Sequence, residues 1–544
     1  MRKRGWFWLP ALVAALLLAA AGCGGDDDDD NGAAADGGTI TFAWGAEPPS
    51  LDPGLATDTT SANVLSNIMD PLVVLEGENL EPQANLAESW EESDGGRVIT
   101  FTLREDGQWT NGDPVVAEDF VYSWKRTLSP ELGADYAYQL YGIEGAQEYN
   151  ECEENCDAVA DQVGVEAVDE RTLRVTLTSA QPWFVQLVAH HSFLAVHRPT
   201  VEQFGERWTE AANIVTNGPY QLAAWEHEAR IDMVKWDEWR DADSVSIERV
   251  DGRIITEGTT AVQAFEAGEV DALDSGLIPS EEMARWKEDE AYYQSPALGT
   301  YYYGFNMSQI TDVNQRRAMS LAIDRQTIVD QIAQGGEVPA DGFTPEGMAG
   351  FDTINVDSPW APANGDLARA QELMSQVQNP VTNVTLFHNN APGHREIAVA
   401  VQGMWRELGI TVEIRQQEWA QFLEFLGPPP NNAVDVYRLG WIFDYPDAMN
   451  GLELWTSESG NNNTTFANEE FDRLVDEARA TPDDDERYEL YQQLEDLMFG
   501  EEGEMPLTPI YWYTNTSLVS ERLRDSFEID PQTFIHFYRL SVSD

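Results

Sequence analysis

Segments typical of strands and segments typical of helices alternate along most of this 544-residue chain. Residues 97–104, RVITFTLR, place an apolar side chain at every second position, as a half-buried strand does. Residues 117–128 instead bring Phe120 and Trp124 to one side of a helix. The same change of period recurs over residues 301–513, so the sequence predicts an α/β fold in which helices cover the sheets.

The N-terminus has the layout of an export signal. Three basic residues, Arg2 to Arg4, precede an apolar run from Gly5 to Ala19, and small residues then lead to Cys23. This order predicts a signal peptide over residues 1–22. The junction resembles a bacterial lipobox, which implies a lipidated Cys23, an exported protein and a lipid anchor on the cell membrane, facing the periplasm or the outer cell surface. An ordinary secretory signal and an uncleaved anchor are the alternatives.

The chain is strongly acidic. It has 32 Lys and Arg against 96 Asp and Glu, which gives a formal charge of −64. Such a charge argues against nucleic acid or an anionic membrane surface as a partner. A saline habitat and an acidic extracellular proteome both fit it. Five aspartates after Cys23 begin a Gly/Asp/Ala stretch, so residues 23–38 are predicted to be a flexible acidic linker.

Two cysteines remain besides Cys23. Cys152 and Cys156 are separated by three residues, and in an oxidising location they form a local disulfide. A zinc half-site is the alternative, although no nearby His or Cys pair completes it. The histidines His190, His191 and His197 also lack metal-site spacing, and we expect a structural role for them.

Several motifs follow one another in a fixed order. They are LAESW, DGGRVITFTLREDGQWTNGDPVVAEDFVYSWKR, NIVTNGPYQLAAWEHEARIDMVKWDEW, AFEAGEVDAL, YYYGFN with RRAMSLAIDR, GWIFDYPD, and EFDRLVDEA with MPLTPIYWY. This ordered set resembles the peptide-binding branch of the family 5 solute-binding proteins of ABC importers. The resemblance covers nearly the whole chain from Thr39 onward.

The resemblance implies a bilobal fold of the periplasmic-binding-protein type II kind, a Venus flytrap, with an extra subdomain on the first lobe. The implied boundaries place the first lobe at residues 39–69, 194–298 and 514–544, the extra subdomain at residues 70–193, and the second lobe at residues 299–513.

The resemblance also implies where a peptide binds. Asp444 matches the aspartate that binds the ligand ammonium group, although an Asp capping the turn beside Pro446 is the alternative. The segments 300–303 and 440–442 match cleft edges that pair with the peptide backbone. Five aromatic residues are candidates for the walls of side-chain pockets, with core packing as the alternative: Tyr136, Tyr302, Trp419, Trp441 and Tyr511. Arg438 and His394 match positions near the ligand carboxylate.

The chain departs from the family pattern at several of these places. Ala333 and the stretch Pro428 to Pro430 stand where basic residues occur, and Thr57 stands where an acidic residue occurs. Gly299 and Ile442 stand where a cysteine pair occurs. These departures leave open both the preferred peptide length and the choice of a peptide over another solute.

The predicted function is therefore capture of short peptides by lobe closure and their delivery to ABC permease subunits in the membrane. We expect a monomer without a cofactor or a metal. No GxSxG, HExxH or P-loop motif occurs, so we expect no enzyme activity. The alternatives are a family member that binds a nickel chelate, a sugar or another solute, an adhesion or sensor module, and a secreted hydrolase.

Overall fold

The computed structural model describes residues 38–77, 80–390, 393–426 and 434–543. The predicted signal peptide, Cys23, the linker up to residue 37 and the stretch Pro428 to Pro430 lie outside the described residues. Within the described ranges, no helix is both long enough and apolar enough to span a membrane.

The strands fall into four sheets. In chain order they are β1 (Thr39–Trp44), β2 (Val73–Glu76), β3 (Glu81–Ala84), β4 (Ala87–Ser93), β5 (Val98–Leu103), β6 (Val165–Asp169), β7 (Thr172–Thr176), β8 (Tyr220–Glu226), β9 (Arg230–Lys235), β10 (Arg249–Ile254), β11 (Ala272–Leu273), β12 (Tyr292–Phe305), β13 (Val338–Pro339), β14 (Asn383–Asn389), β15 (Thr411–Gln417), β16 (Val436–Ile442) and β17 (Leu507–Leu518).

Helices lie between the strands along most of the chain. They are α1 (Thr59–Ile68), α2 (Ala117–Thr127), α3 (Ala146–Asn150), α4 (Cys156–Ala160), α5 (Phe184–Leu187), α6 (Arg198–Phe204), α7 (Gly258–Glu266), α8 (Ser280–Trp286), α9 (Val313–Leu321), α10 (Arg325–Ile328), α11 (Phe351–Ile354), α12 (Leu367–Met374), α13 (His394–Arg406), α14 (Trp419–Leu426), α15 (Met449–Leu452), α16 (Glu469–Arg479) and α17 (Asp484–Phe499).

A five-stranded sheet has the order β11-β1-β10-β9-β8. Strand β1 pairs in parallel with β10 and β11, and β8, β9 and β10 pair antiparallel. Phe42 and Trp44 of β1 are fully buried, and both pack edge-on against Phe537. The core around them draws on residues 40–69, 194–272 and 519–540, so three separate parts of the chain build it.

A six-stranded sheet has the order β13-β17-β12-β16-β14-β15. Its two longest strands, β12 and β17, pair antiparallel over most of their length. Val519, directly after β17, also forms a bridge with Ala272 of the five-stranded sheet. The paired strands β12 and β17 therefore connect the two large sheets, and a register shift between Pro296 and Thr300 interrupts their pairing.

A four-stranded antiparallel sheet, β4-β5-β7-β6, lies in the region of residues 70–193. Strand β5 confirms the strand predicted at residues 97–104, and α2 confirms the helix predicted from residue 117. Phe120 and Trp124 of α2 are fully buried. In the same region Cys152 and Cys156 form a disulfide at the start of α4.

Candidate ligand-binding site

Asp444 lies two residues after the end of β16, where the strand gives way to a turn. Asn450 holds this turn, because its Oδ1 accepts the backbone N–H of Asp444 at 2.9 Å and the indole N–H of Trp441 at 2.9 Å. The Nδ2 of Asn450 also donates to Asp444 Oδ2 at 3.1 Å. One residue of α15 therefore fixes the backbone, the carboxylate and a neighbouring aromatic ring.

Four side chains surround the Asp444 carboxylate, whose side chain is 9% exposed. Besides Asn450, Gln139 Nε2 donates to Oδ2 at 2.7 Å, and the Tyr136 hydroxyl and His190 Nε2 each lie 3.5 Å from Oδ1. Among the described residues no Arg or Lys lies within 4.0 Å of this carboxylate. A buried carboxylate without a fixed cation suits a cationic ligand group, since an unpaired buried charge is costly.

Side chains from distant parts of the chain contact Asp444. Tyr136, Gln139 and His190 come from the region of residues 70–193, and Gln532 near the C-terminus donates to the Asp444 backbone carbonyl at 2.6 Å. Burial raises the pKa of Tyr136 well above its usual value, and the nearby Asp444 charge raises it further. Tyr136 therefore stays a neutral donor.

Arg438 of β16 is the second charged group of the site, and it is buried to 7% exposure. Its Nη1 donates to Asn389 Oδ1 at 3.1 Å and its Nη2 to the Tyr513 hydroxyl at 2.6 Å. The guanidinium carbon lies 4.3 Å from the ring centre of Tyr301. Its Nε has no hydrogen-bond partner, and no carboxylate of the described residues lies within 4.0 Å of Arg438.

Phenol groups keep Arg438 charged. Burial opposes its charge, but the hydroxyls of Tyr513 and Tyr301 outweigh burial and leave the pKa of Arg438 raised. His394, the first residue of α13, has Nδ1 at 3.4 Å from the Tyr301 hydroxyl. Burial first and Arg438 second hold the pKa of His394 well below its usual value, so His394 is a neutral ring beside a cation. Tyr511 packs on Tyr301 with ring centres 4.6 Å apart.

The structure thus places the candidate residues in two groups and leaves two outside them. Trp441 and Tyr136 accompany Asp444, whereas His394 and Tyr511 accompany Arg438. Tyr302 is 2% exposed and packs against Phe343 and Trp455, so core packing describes its surroundings. Trp419, at the start of α14, is 41% exposed and stacks on Phe422.

Strand pairing corrects one expectation about the cleft edges. Residues 300–303 pair with β16 on one side and with β17 on the other, so this central segment has no free edge for a ligand. Residues 440–442 pair with β12, whereas β14 reaches β16 only at Val436 and Tyr437. Among the described residues, the last part of β16 therefore keeps one edge without a strand partner.

Gln139, His190 and Asn450 were not predicted as site residues. Gln139 and Asp444 are 305 positions apart, and a single amide in a polar stretch carries no sequence signal of such a contact. His190 belongs to the histidine cluster for which a structural role was expected. Its histidine neighbour His197 does have structural partners, since its ring nitrogens contact Thr200 and Asp113.

Comparison with known proteins assigns the chain to a family. The family model of bacterial extracellular solute-binding proteins, family 5 Middle, matches residues 81–463. The oligopeptide-binding protein OppA of Bacillus subtilis is 34% identical over 494 residues, which cover 88% of each protein.

Solved structures agree with this assignment. The murein tripeptide binding protein MppA of Escherichia coli superimposes with a TM-score of 0.83 at 30% identity, over 94% of this chain and 99% of the other. An unliganded open form of MppA gives a TM-score of 0.71 at the same identity, over 93% and 98%. OppA of Haemophilus influenzae in complex with RPPGFSPFR gives a TM-score of 0.81 at 29% identity, over 94% and 99%.

These matches confirm the predicted bilobal α/β fold of the periplasmic-binding-protein type II kind. They also confirm that the chain is a solute-binding protein and not an enzyme. The chain belongs to family 5 of the bacterial extracellular solute-binding proteins, in the branch that contains the oligopeptide-binding proteins.

Proposed function

We propose that this protein captures short peptides outside the cytoplasm and delivers them to the permease of an ABC importer. The observation that carries the proposal is a pair of buried, oppositely charged side chains, Asp444 and Arg438, that have no Arg, Lys or carboxylate partner within 4.0 Å among the described residues. They are six positions apart in the chain, with the free edge of β16 between them. A short peptide carries one charge of each sign, an ammonium group at one end and a carboxylate at the other.

The edge of β16 supports recognition of the peptide backbone. Residues 440–442 lie between the two charged positions and keep an edge without a strand partner among the described residues. An extended peptide binds such an edge through main-chain hydrogen bonds, whatever its side chains are. The names of OppA from Bacillus subtilis and Haemophilus influenzae, both oligopeptide binders, support the same ligand class.

Lobe closure is the proposed mechanism of capture. The strands β12 and β17 connect the two large sheets, which supports a hinge near the register shift at Pro296 to Thr300. The first lobe then takes residues 39–69, 194–298 and 514–544, the extra subdomain residues 70–193, and the second lobe residues 299–513. Tyr136, Gln139 and His190 of the extra subdomain reach Asp444 of the second lobe, so closure completes the ammonium site. Ligand that binds these joined groups favours the closed state.

The protein is proposed to work as a monomer tethered through a lipid on Cys23, with residues 24–38 between this anchor and the first lobe. The mass of the mature N-terminal peptide tests this anchor. A diacylated Cys23 is expected, and an unmodified or uncleaved N-terminus would contradict it.

Calorimetric titration of a matched set of peptides tests the proposed ligand. Trialanine is expected to bind, whereas acetylation of its ammonium or amidation of its carboxylate removes a charge that Asp444 or Arg438 needs. We expect each blocked peptide to bind weaker by about 2 kcal/mol or more, because each leaves one buried charge unpaired. Equal affinity of all three peptides would contradict the proposal, and so would failure of trialanine and of longer alanine peptides to bind.

A further inference from the structure

The ring of His190 has a defined proton arrangement. Its Nδ1 accepts the backbone N–H of Ser192 at 3.3 Å and lies 2.8 Å from the Ser192 hydroxyl. A ring nitrogen that accepts an N–H carries no proton, so the proton of the neutral imidazole is on Nε2. That Nε2 lies 3.5 Å from Asp444 Oδ1. In its neutral form His190 therefore turns an N–H toward the proposed ammonium receptor.

Two neutral rings, those of His191 and Tyr136, pack against His190. The ring of His191 lies 3.9 Å away, centre to centre, and its Nε2 donates to the Ala56 carbonyl at 2.9 Å. Burial first and His190 second hold the pKa of His191 well below its usual value, so His191 adds no charge. Tyr136 packs edge-on against His190 with centres 5.3 Å apart and stays neutral as well.

The remaining titratable groups of this neighbourhood are acids. Asp444 is in contact with His190, and three others act on the groups beside it: Asp58 at the start of α1, Asp135, and Glu453, which pairs with Arg479 at 2.9 Å. Burial raises the pKa of both Asp58 and Glu453. Among the acids of the described residues, Asp444 alone lies within 4.0 Å of the His190 ring. A second proton on this ring therefore places an imidazolium against the carboxylate that a ligand ammonium needs.

We propose that His190 is a positioning residue that aligns Asp444 for the ligand ammonium as a neutral imidazole and repels that ammonium as an imidazolium. This inference rests on the proposed peptide ligand and adds a dependence on pH to it. A protonated His190 neutralises the charge of the Asp444 carboxylate. It also places a positive charge beside the incoming ligand ammonium. A charge within about 4–6 Å shifts a titration by about one unit or more, which corresponds to about tenfold in affinity. Capture is therefore expected to weaken in acid.

Titration calorimetry with trialanine at about pH 7 and about pH 5 tests this inference, because the peptide ammonium is charged at both values while an imidazole titrates between them. Wild-type protein is expected to bind about tenfold more weakly at the lower pH. His190→Gln keeps an N–H donor but cannot take a second proton, so whatever its affinity at about pH 7, that affinity should change little in acid. His197→Gln is the matched control and should follow wild type, since His197 contacts Thr200 and Asp113 instead.

A second readout does not depend on the variant folding. Titration of wild type at about pH 6 in two buffers of different ionisation enthalpy should show protons released on binding. The same pH dependence in His190→Gln and wild type, or no proton release, would overturn the role of His190 while trialanine still binds. If trialanine binds at neither pH, the proposed peptide function fails, and this inference fails with it.

Discussion

At the scale of single residues, the proposed function depends on which groups contact the side chains of Asp444 and Arg438. Both side chains are buried, and their hydrogen-bond partners are neutral groups. Buried charges elsewhere in the described residues are of two kinds: Arg487 has Asp447 at 3.2 Å, whereas Arg325 and Glu495 have uncharged hydrogen-bond partners. An unpaired buried charge therefore does not by itself mark a ligand site, and the role proposed for Asp444 and Arg438 also rests on their positions on either side of the free edge of β16.

Asp444→Asn tests this distinction. The amide keeps the size of the carboxylate but not its charge, so trialanine should bind about 2–5 kcal/mol more weakly, since its ammonium is left without a counter-ion. Acetylated trialanine, which has no ammonium, should bind wild type and variant alike in calorimetric titrations. An equal loss for both peptides would assign the effect to disturbed folding instead. Asp447→Asn is the structural control, and it should lower the melting temperature because it leaves Arg487 short of a partner.

The sequence indicated Asp444 and Arg438 but not the hydrogen-bond partners that hold them. The resemblance supplied the two charges by position, whereas Gln139 reaches Asp444 across 305 positions of sequence and carries no local pattern. The aromatic candidates show the same limit. Tyr302 and Tyr301 are neighbours in one strand, yet Tyr302 packs in the core and Tyr301 lies against Arg438. Which face of the strand meets the ligand depends on the sheet and its helices, not on the residue type.

At the scale of elements, the last part of β16 is the predicted platform for the peptide backbone. Main-chain groups of an extended peptide point alternately toward and away from the strand beside it. Residues 440–442 should therefore bond to every second N–H of the ligand.

Methylation of single ligand nitrogens tests this arrangement without changing the protein. In a series of alanine pentapeptides, each methylated at one backbone nitrogen, affinity should fall by about 1 kcal/mol or more at alternate positions, because each loses one hydrogen bond. Methylation at the positions between them should have little effect. A uniform loss along the peptide, or none, would argue against strand-like recognition.

The strands β12 and β17 are longer than the segments whose sequence is typical of a strand. The motifs YYYGFN and MPLTPIYWY cover only part of the two longest strands, since β12 already begins at Tyr292 and β17 extends to Leu518. The added parts, such as Tyr293 and Ser517, pair with each other. Polar residues there lack the alternation of a strand, and pairing between the distant segments overrides their weak preference.

At the scale of the whole molecule, the paired strands β12 and β17 are the connection about which the lobes are proposed to move. The lower TM-score against the unliganded open form of MppA than against the other MppA structure supports an arrangement that differs from the open one. The α/β class followed from the alternating patterns, and the bilobal fold followed from the resemblance. The lobe boundaries need the sheets, because the core of the five-stranded sheet is assembled from three separate parts of the chain.

Small-angle X-ray scattering with and without trialanine tests the proposed movement. Saturating peptide should reduce the radius of gyration, since ligand that binds groups of both lobes favours the closed state. Asp444→Asn at the same peptide concentration should scatter like the unliganded protein. A radius that does not change when calorimetry shows full binding would contradict closure on the ligand.

Native mass spectrometry of protein purified without denaturation tests the central claim most directly. We expect bound species with the masses of short peptides on the wild-type protein, and far fewer of them on Asp444→Asn prepared in parallel. A bound sugar or metal chelate would contradict the claim that the two unpaired charges hold a peptide. Peptides retained equally by wild type and Asp444→Asn would contradict the role given to Asp444.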